Sequence, residues 1–141
     1  MTCDDVLARA RNGPGHLARR FYQAHTRLWQ ESIRDELTGP QFTVLGVLHA
    51  DGPLDQGTVG ERARLDKSTT APVLERLRQR GLVQITKDSA DRRRKLLRIT
   101  DAGSELVLRT APKAAEVGDR LLAPLTAAEQ DQLLEMLRRI C

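Results

Sequence analysis

The residues best suited to chemistry lie between positions 87 and 100, "KDSADRRRKLLRIT", where Arg92, Arg93, Arg94 and Lys95 stand in a row. Four adjacent cations create a local positive field, and such a field suits phosphate binding. A second set lies upstream in "LDKSTTAPVLERLRQRG": Lys67, Ser68, Thr69, Thr70, Pro72 and Arg76. Hydroxyls at the start of a helix, followed by an arginine one or two turns later, are residue types that read base edges and phosphates. Enzyme constellations are absent from the sequence, which has no G-x-S-x-G, H-E-x-x-H, phosphate-binding loop or C-x-x-C. His16, His25 and His49 have no metal-ligand spacing with Cys3 and Cys141. Neither an enzyme nor a cofactor is expected.

Charge distribution supports the phosphate reading. Of the 23 Lys+Arg and 19 Asp+Glu in the chain, residues 51–100 hold 12 and 7, leaving 11 against 12 elsewhere. The basicity thus belongs to the middle of the sequence. With 141 residues, 40% hydrophobic and 30% charged, the chain is about one globular domain with a core of its own. No apolar run approaches the roughly 20 residues of a membrane span. The start, "MTCDDVLARAR", has acids where a signal peptide has its basic region. A cytoplasmic protein without a membrane partner is expected.

The elements that must position these residues follow from periodicity and caps. A first helix is predicted from Pro14 to Glu36, with Asn12 as cap and Leu17, Phe21, Ala24 and Leu28 at helical spacing. "LTGPQ" breaks it, and Thr38 with Pro40 opens a second helix carrying Phe42, Leu45, Val47 and Leu48, which stops at "ADGP". Asp55 caps a short helix reaching Ala63. Asp66 caps another to Arg80, with Gly81 as its stop. Pro72 lies past the first turn of that helix and offers no N–H to the Ser68 carbonyl, so a local distortion is expected. "LVQIT" and "LLRIT" alternate as strands on either side of the polar tip "KDSADRRRK". A long helix starts near Asp101, which Pro112 should bend or interrupt, and Thr126 with Glu129 forms a capping box for the last helix.

This order is mainly α with a small β-hairpin wing, a winged helix-turn-helix between long terminal helices. Such a fold lays its second helix in the DNA major groove. In the helix from Asp66, Leu74 and Leu77 point inward while Ser68, Thr69, Pro72 and Arg76 share the opposite face. The hairpin tip would reach an adjacent minor groove, whose negative potential attracts arginine. Winged helices also serve as protein-interaction modules. That use wants an apolar outward face, whereas Lys67, Ser68, Thr69 and Arg76 favour nucleic acid.

Residues 65–103, "LDKSTTAPVLERLRQRGLVQITKDSADRRRKLLRITDAG", resemble the core of the MarR (multiple-antibiotic-resistance regulator) family of bacterial transcription factors. "DRR" followed by "LLRITDAG" is similar to that family's D-x-R wing signature and to the L-T-x-x-G that leads into the next helix. The order of helices matches over nearly the whole chain. The resemblance implies a homodimer on double-stranded DNA, usually a repressor at a pseudo-palindromic operator. Residues 1–36 and 104–141 would be the dimerisation helices and 37–103 the DNA-binding domain. By motif position, Asp91 and Arg93 form the wing pair, the Asp91 carboxylate orienting Arg93 toward the minor groove, and Arg92 and Arg94 meet phosphates. Long helices with apolar stripes must in any case bury them against something.

Members of this family often release DNA on binding small aromatic acids between the dimer helices and the winged domain. "GHLARR" resembles the first helix of members that sense hydroxybenzoate-type ligands, so His16, Arg19, Arg20, Tyr22, His25 and Trp29 are candidates for holding an aromatic carboxylate effector. The competing reading makes Phe21, Trp29 and Phe42 plain core and the arginines solvated. A rival sensor would use Cys3 and Cys141, whose chain ends can meet in an intertwined dimer. Neither has a neighbouring motif that lowers a thiol pKa, and both are read as incidental.

Overall fold

The computed structural model describes residues 1–34 and 36–141, and these form two compact units. One comprises Ile33–Lys113; the other comprises Met1–Ser32 with Ala114–Cys141. None of the described helices is long and apolar enough to cross a membrane.

The Ile33–Lys113 unit is built from helices with encoded ends. Helix α3 (Gly39–Asp51) begins at Thr38, whose hydroxyl accepts from the Gln41 amide at 3.2 Å while Gln41 Oε1 accepts from the Thr38 amide at 3.0 Å. This reciprocal box satisfies two donors that a helix start leaves unpaired. Asp55 caps α4 (Gln56–Ala63) and Asp66 caps α5 (Lys67–Gln79), both as the sequence predicts. Gly81 follows at φ 71°, a conformation that favours glycine and turns the chain out of α5. The strands β1 (Val83–Lys87) and β2 (Lys95–Ile99) pair antiparallel, Val83 opposite Ile99 and Lys87 opposite Lys95. Leu54 adds a third, single-residue rung on β2 through two bonds with Leu97, of 3.1 and 2.7 Å. The core combines Leu45, Leu48 and Val59 from α3 and α4, Leu74 and Leu77 from α5, and Val83 and Leu97 from the hairpin. Leu106 and Val107, from the first turns of α6 (Asp101–Leu122), join it.

A tight joint connects β2 to α6. Thr100 donates its hydroxyl to the Gly81 carbonyl at 2.7 Å, its amide to the Leu82 carbonyl at 3.0 Å, and accepts from the Gly103 amide at 3.1 Å. A Cβ at Gly103 would overlap the Leu82 carbonyl oxygen and lie 2.8 Å from Ile99 Cγ1. This is the physical reason for a threonine and a glycine three residues apart at this point.

The other unit differs from expectation at its start. Before Pro14 the chain already forms a helix, α1 (Cys3–Arg11), capped by a box between Thr2 and Asp5. Asn12 ends α1 rather than opening the next helix, α2 (Pro14–Ser32). The predicted first helix therefore stops at Ser32; its expected continuation to Glu36 includes Asp35, which lies outside the described residues. Arg120 of α6 reaches Glu31 Oε2 at 3.1 Å and Ser32 Oγ at 3.3 Å. The last helix, α7 (Ala127–Ile140), carries the predicted Thr126–Glu129 box. Pro112 does not interrupt α6, which is continuous over 22 residues, and α5 likewise continues through Pro72. Each proline forgoes one backbone bond without ending its helix.

Candidate nucleic-acid interface

The two sets of residues singled out above lie on neighbouring elements of one unit. Helix α4 turns into α5 through Arg64 at φ 57° and a Leu65 amide donated to the Gly60 carbonyl at 2.9 Å. The helices touch so closely that a Cβ on Gly60 would lie 2.9 Å from Thr70 Oγ1. Asp66 Oδ1 accepts from the Thr69 amide at 2.7 Å and the Ser68 hydroxyl at 2.8 Å. These bonds hold the Asp66 carboxyl below the usual carboxylate range, the Ser68 hydroxyl first among them.

Helical geometry then divides α5 into two faces. Thr70, Leu74 and Leu77 are buried, whereas Lys67, Ser68, Pro72 and Arg76 are exposed and Thr69 is half-buried. Thr70 is a correction to the expected set. It is 2% exposed, and its hydroxyl is given to the Asp66 carbonyl at 2.7 Å, so it holds the turn and presents nothing outward. Its place was readable: residues 70, 74 and 77 fall on one helix face.

The wing tip is internally tied. Asp88 donates its amide to the Arg94 carbonyl at 2.9 Å, and Arg94 donates its amide to the Asp91 carbonyl at 3.0 Å. Asp88 Oδ1 accepts from the Ala90 amide at 3.0 Å, and Asp91 Oδ1 from the Arg93 amide at 3.0 Å. The Asp91 carboxylate thus holds Arg93 by its backbone, where the resemblance implied a hold on its direction. Arg92 and Arg93 are exposed and, among the described residues, have no ion-pair partner. Arg94 is engaged: its guanidinium donates to Asp55 Oδ2 and lies 3.9 Å from Asp88 Oδ2. A free phosphate contact was expected there.

From the sequence Asp55 reads only as a cap for α4. Its Oδ1 accepts from the Thr58 amide at 2.8 Å and its Oδ2 takes Arg94. The Thr58 amide, then the Arg94 guanidinium, lower its pKa from the usual 3.8 to about 2. No spacing rule links two residues 39 apart, and nothing in the sequence signalled the pair.

The candidate effector residues lie in the other unit and are only partly grouped. Tyr22, His25 and Trp29 line one face of α2, with ring centroids 6.2 and 5.7 Å apart. Trp29 is buried, His25 half-buried and Tyr22 exposed. Arg19 precedes Tyr22 by one turn, but helical spacing turns His16 and Arg20 away from the stack. Of the three residues read alternatively as core, Trp29 is buried, Phe42 packs on the winged-unit core, and Phe21 is 39% exposed. Cys3 and Cys141 are both free and exposed. Among the described residues no cluster of His, Cys, Asp or Glu could hold a metal ion.

Comparison with known proteins fits this arrangement. A model of the MarR family matches residues 36–94, from before α3 to the wing tip. The HTH-type transcriptional repressor NicR of Pseudomonas putida is 34% identical over 127 residues, 89% of this chain and 80% of that protein. The PcaV transcriptional regulator of Streptomyces coelicolor, solved with its natural ligand, is 46% identical with a TM-score of 0.86, covering 92% of both chains. Bordetella bronchiseptica BpsR, whose DNA binding is regulated by 6-hydroxynicotinic acid, is 34% identical with a TM-score of 0.88, covering 92% of this chain and 94% of that one. A winged helix-turn-helix unit and likenesses that run well beyond it converge: this protein belongs to the MarR family of transcriptional regulators.

Proposed function

We propose that the protein is a cytoplasmic, homodimeric repressor that binds duplex DNA and is released from it by a small anionic ligand. The observation that carries the DNA reading is the set of exposed cations on two adjacent readers. Arg76 on α5 and Arg92 and Arg93 on the wing have no ion-pair partner among the described residues. The hairpin also places Lys87 directly opposite Lys95. Like charges facing each other across strands are unfavourable unless something neutralises them, and a phosphate backbone does so. In this reading Ser68, Thr69, Pro72 and Arg76 face the major groove, Arg93 enters the minor groove, and Lys67 and Arg92 meet phosphates.

The dimer is supported by the helices outside the winged unit. No residue of α1 or α7 is buried, while Val6, Leu7, Met136 and Ile140 on them are exposed. Amphipathic helices of this kind need an apolar partner, and a second copy supplies one. For the ligand, support comes from BpsR and its response to 6-hydroxynicotinic acid, an aromatic carboxylate. The Tyr22–His25–Trp29 stack, with Arg19 one turn away, offers an aromatic wall and a cation.

The test is a titration of the protein against duplex DNA from beside its own gene, across a salt series, with Arg93→Ala in parallel. Preferential binding of one duplex, weakened about tenfold or more in the variant, is expected. Equal binding to every duplex, or an unchanged variant, would remove the DNA reading and bring forward the protein-interaction module. A panel of aromatic carboxylates added to the bound complex then tests release.

A further inference from the structure

The hairpin is fastened at two points, one on β2 and one at its tip, and both fasteners come from adjacent residues. Leu54 pairs with Leu97 through the backbone at the middle of β2. Asp55, the next residue, reaches Arg94, which closes the tip loop through its own backbone bonds to Asp88 and Asp91. The two oxygens of the Asp55 carboxylate do different work: one accepts from the Thr58 amide and fixes the start of α4, and the other takes the Arg94 guanidinium. Because α4 packs on α5 at Gly60 and Thr70, one carboxylate ties the tip loop to the frame that carries the outward face of α5.

We propose that Asp55 and Arg94 form a latch that sets the position of Arg92 and Arg93 relative to α5, making Arg94 a positioning residue and not a phosphate contact. This rests on the DNA-binding reading above. It explains why one of four consecutive cations carries two acidic neighbours, Asp55 and Asp88, while Arg92 and Arg93 carry no ion pair among the described residues. A phosphate competing for the Arg94 guanidinium would have to displace a carboxylate already seated on it.

Two variants separate the latch from the alternatives. Asp55→Asn keeps a good helix cap but removes the ion pair, and Arg94→Gln removes it from the other side. Removing a negative charge from a DNA-binding surface should by itself tighten binding. The latch predicts the reverse. Asp55→Asn and Arg94→Gln each weaken binding to the preferred duplex by about fivefold, and the double variant is no weaker than either single one. The slope of log affinity against log salt stays at the wild-type value in Arg94→Gln, whereas Arg92→Gln lowers its magnitude by about 0.9. Hydrogen exchange of the 88–94 amides in the free protein speeds up in both latch variants. If Arg94→Gln lowers the slope as Arg92→Gln does, and Asp55→Asn leaves binding unchanged or tighter, Arg94 is a phosphate contact and the latch is wrong. If wild type binds no duplex, the DNA reading fails on its own, and unchanged exchange in both variants would then dispose of the latch as well.

Discussion

The two units of this chain solve the same problem, burying apolar surface, with different degrees of independence. Residues Ile33–Lys113 surround a shared core in which Val44, Leu45, Leu48, Val59 and Leu77 have no measurable exposure. In Met1–Ser32 with Ala114–Cys141, Trp29 and Val117 are buried, yet α1 and α7 contribute nothing buried. Both units have well-capped helices, so local encoding does not distinguish them. The difference lies in packing. One unit contains its own core, and the other presents apolar residues that its own packing leaves uncovered.

Three measurements sharpen or break this contrast, from the largest expected effect to the smallest. Leu77→Ala removes a side chain with no measurable exposure and should lower the stability of the winged unit by about 2–5 kcal/mol, read from the urea midpoint. A loss below about 1 kcal/mol would show a looser core than its burial implies. Next, Leu7→Ser together with Met136→Ser changes residues that are 64% and 50% exposed in the single chain. If those residues meet a second copy, burying each contributes about 1.5–3 kcal/mol and the dimer dissociation constant should rise at least about tenfold. Sedimentation across a concentration series reads this directly; an unchanged constant would mean the exposed residues cover nothing. Finally, Asp55 should give the winged unit a small acid sensitivity. Its folded-state pKa is depressed from 3.8 to about 2, so its contribution is present above about pH 4 and is lost as pH falls through 2. The melting-temperature difference between wild type and Asp55→Asn should therefore shrink between pH 4 and pH 2. A constant difference would show that the carboxylate charge contributes nothing.

Local features were readable in the sequence and long-range ones were not. Thr38, Asp55, Asp66 and Thr126 announce their helices because a cap acts within three residues of itself. The strands and polar tip follow from alternation bounded by turn residues. Helix α1 carries the same kind of signal in Thr2 and Asp5, upstream of the Asn12 and Pro14 from which the first helix is predicted. Leu54 is a single residue in "GPLD" with no alternation to reveal its rung on β2. In the candidate site, the outward face of α5 and the exposure of Arg92 and Arg93 were legible from spacing, while the inward turn of Thr70 needed the helix period applied to a polar residue. The Asp55–Arg94 pair depends on where the hairpin folds back, which one-dimensional patterns do not contain.

The contact between Gly60 and Thr70 has a consequence for how such a regulator changes over generations. Residues 60 and 70 belong to different helices, yet a side chain on the first collides with the hydroxyl of the second. Their substitutions are therefore coupled: a larger residue at 60 needs a smaller one at 70 to precede or accompany it. Ser68, Thr69, Pro72 and Arg76 lie on the other side of α5 and escape this coupling. A lineage can vary those four residues one at a time and leave the joint beneath them untouched, so drift in what the helix recognises need not pass through a misfolded ancestor.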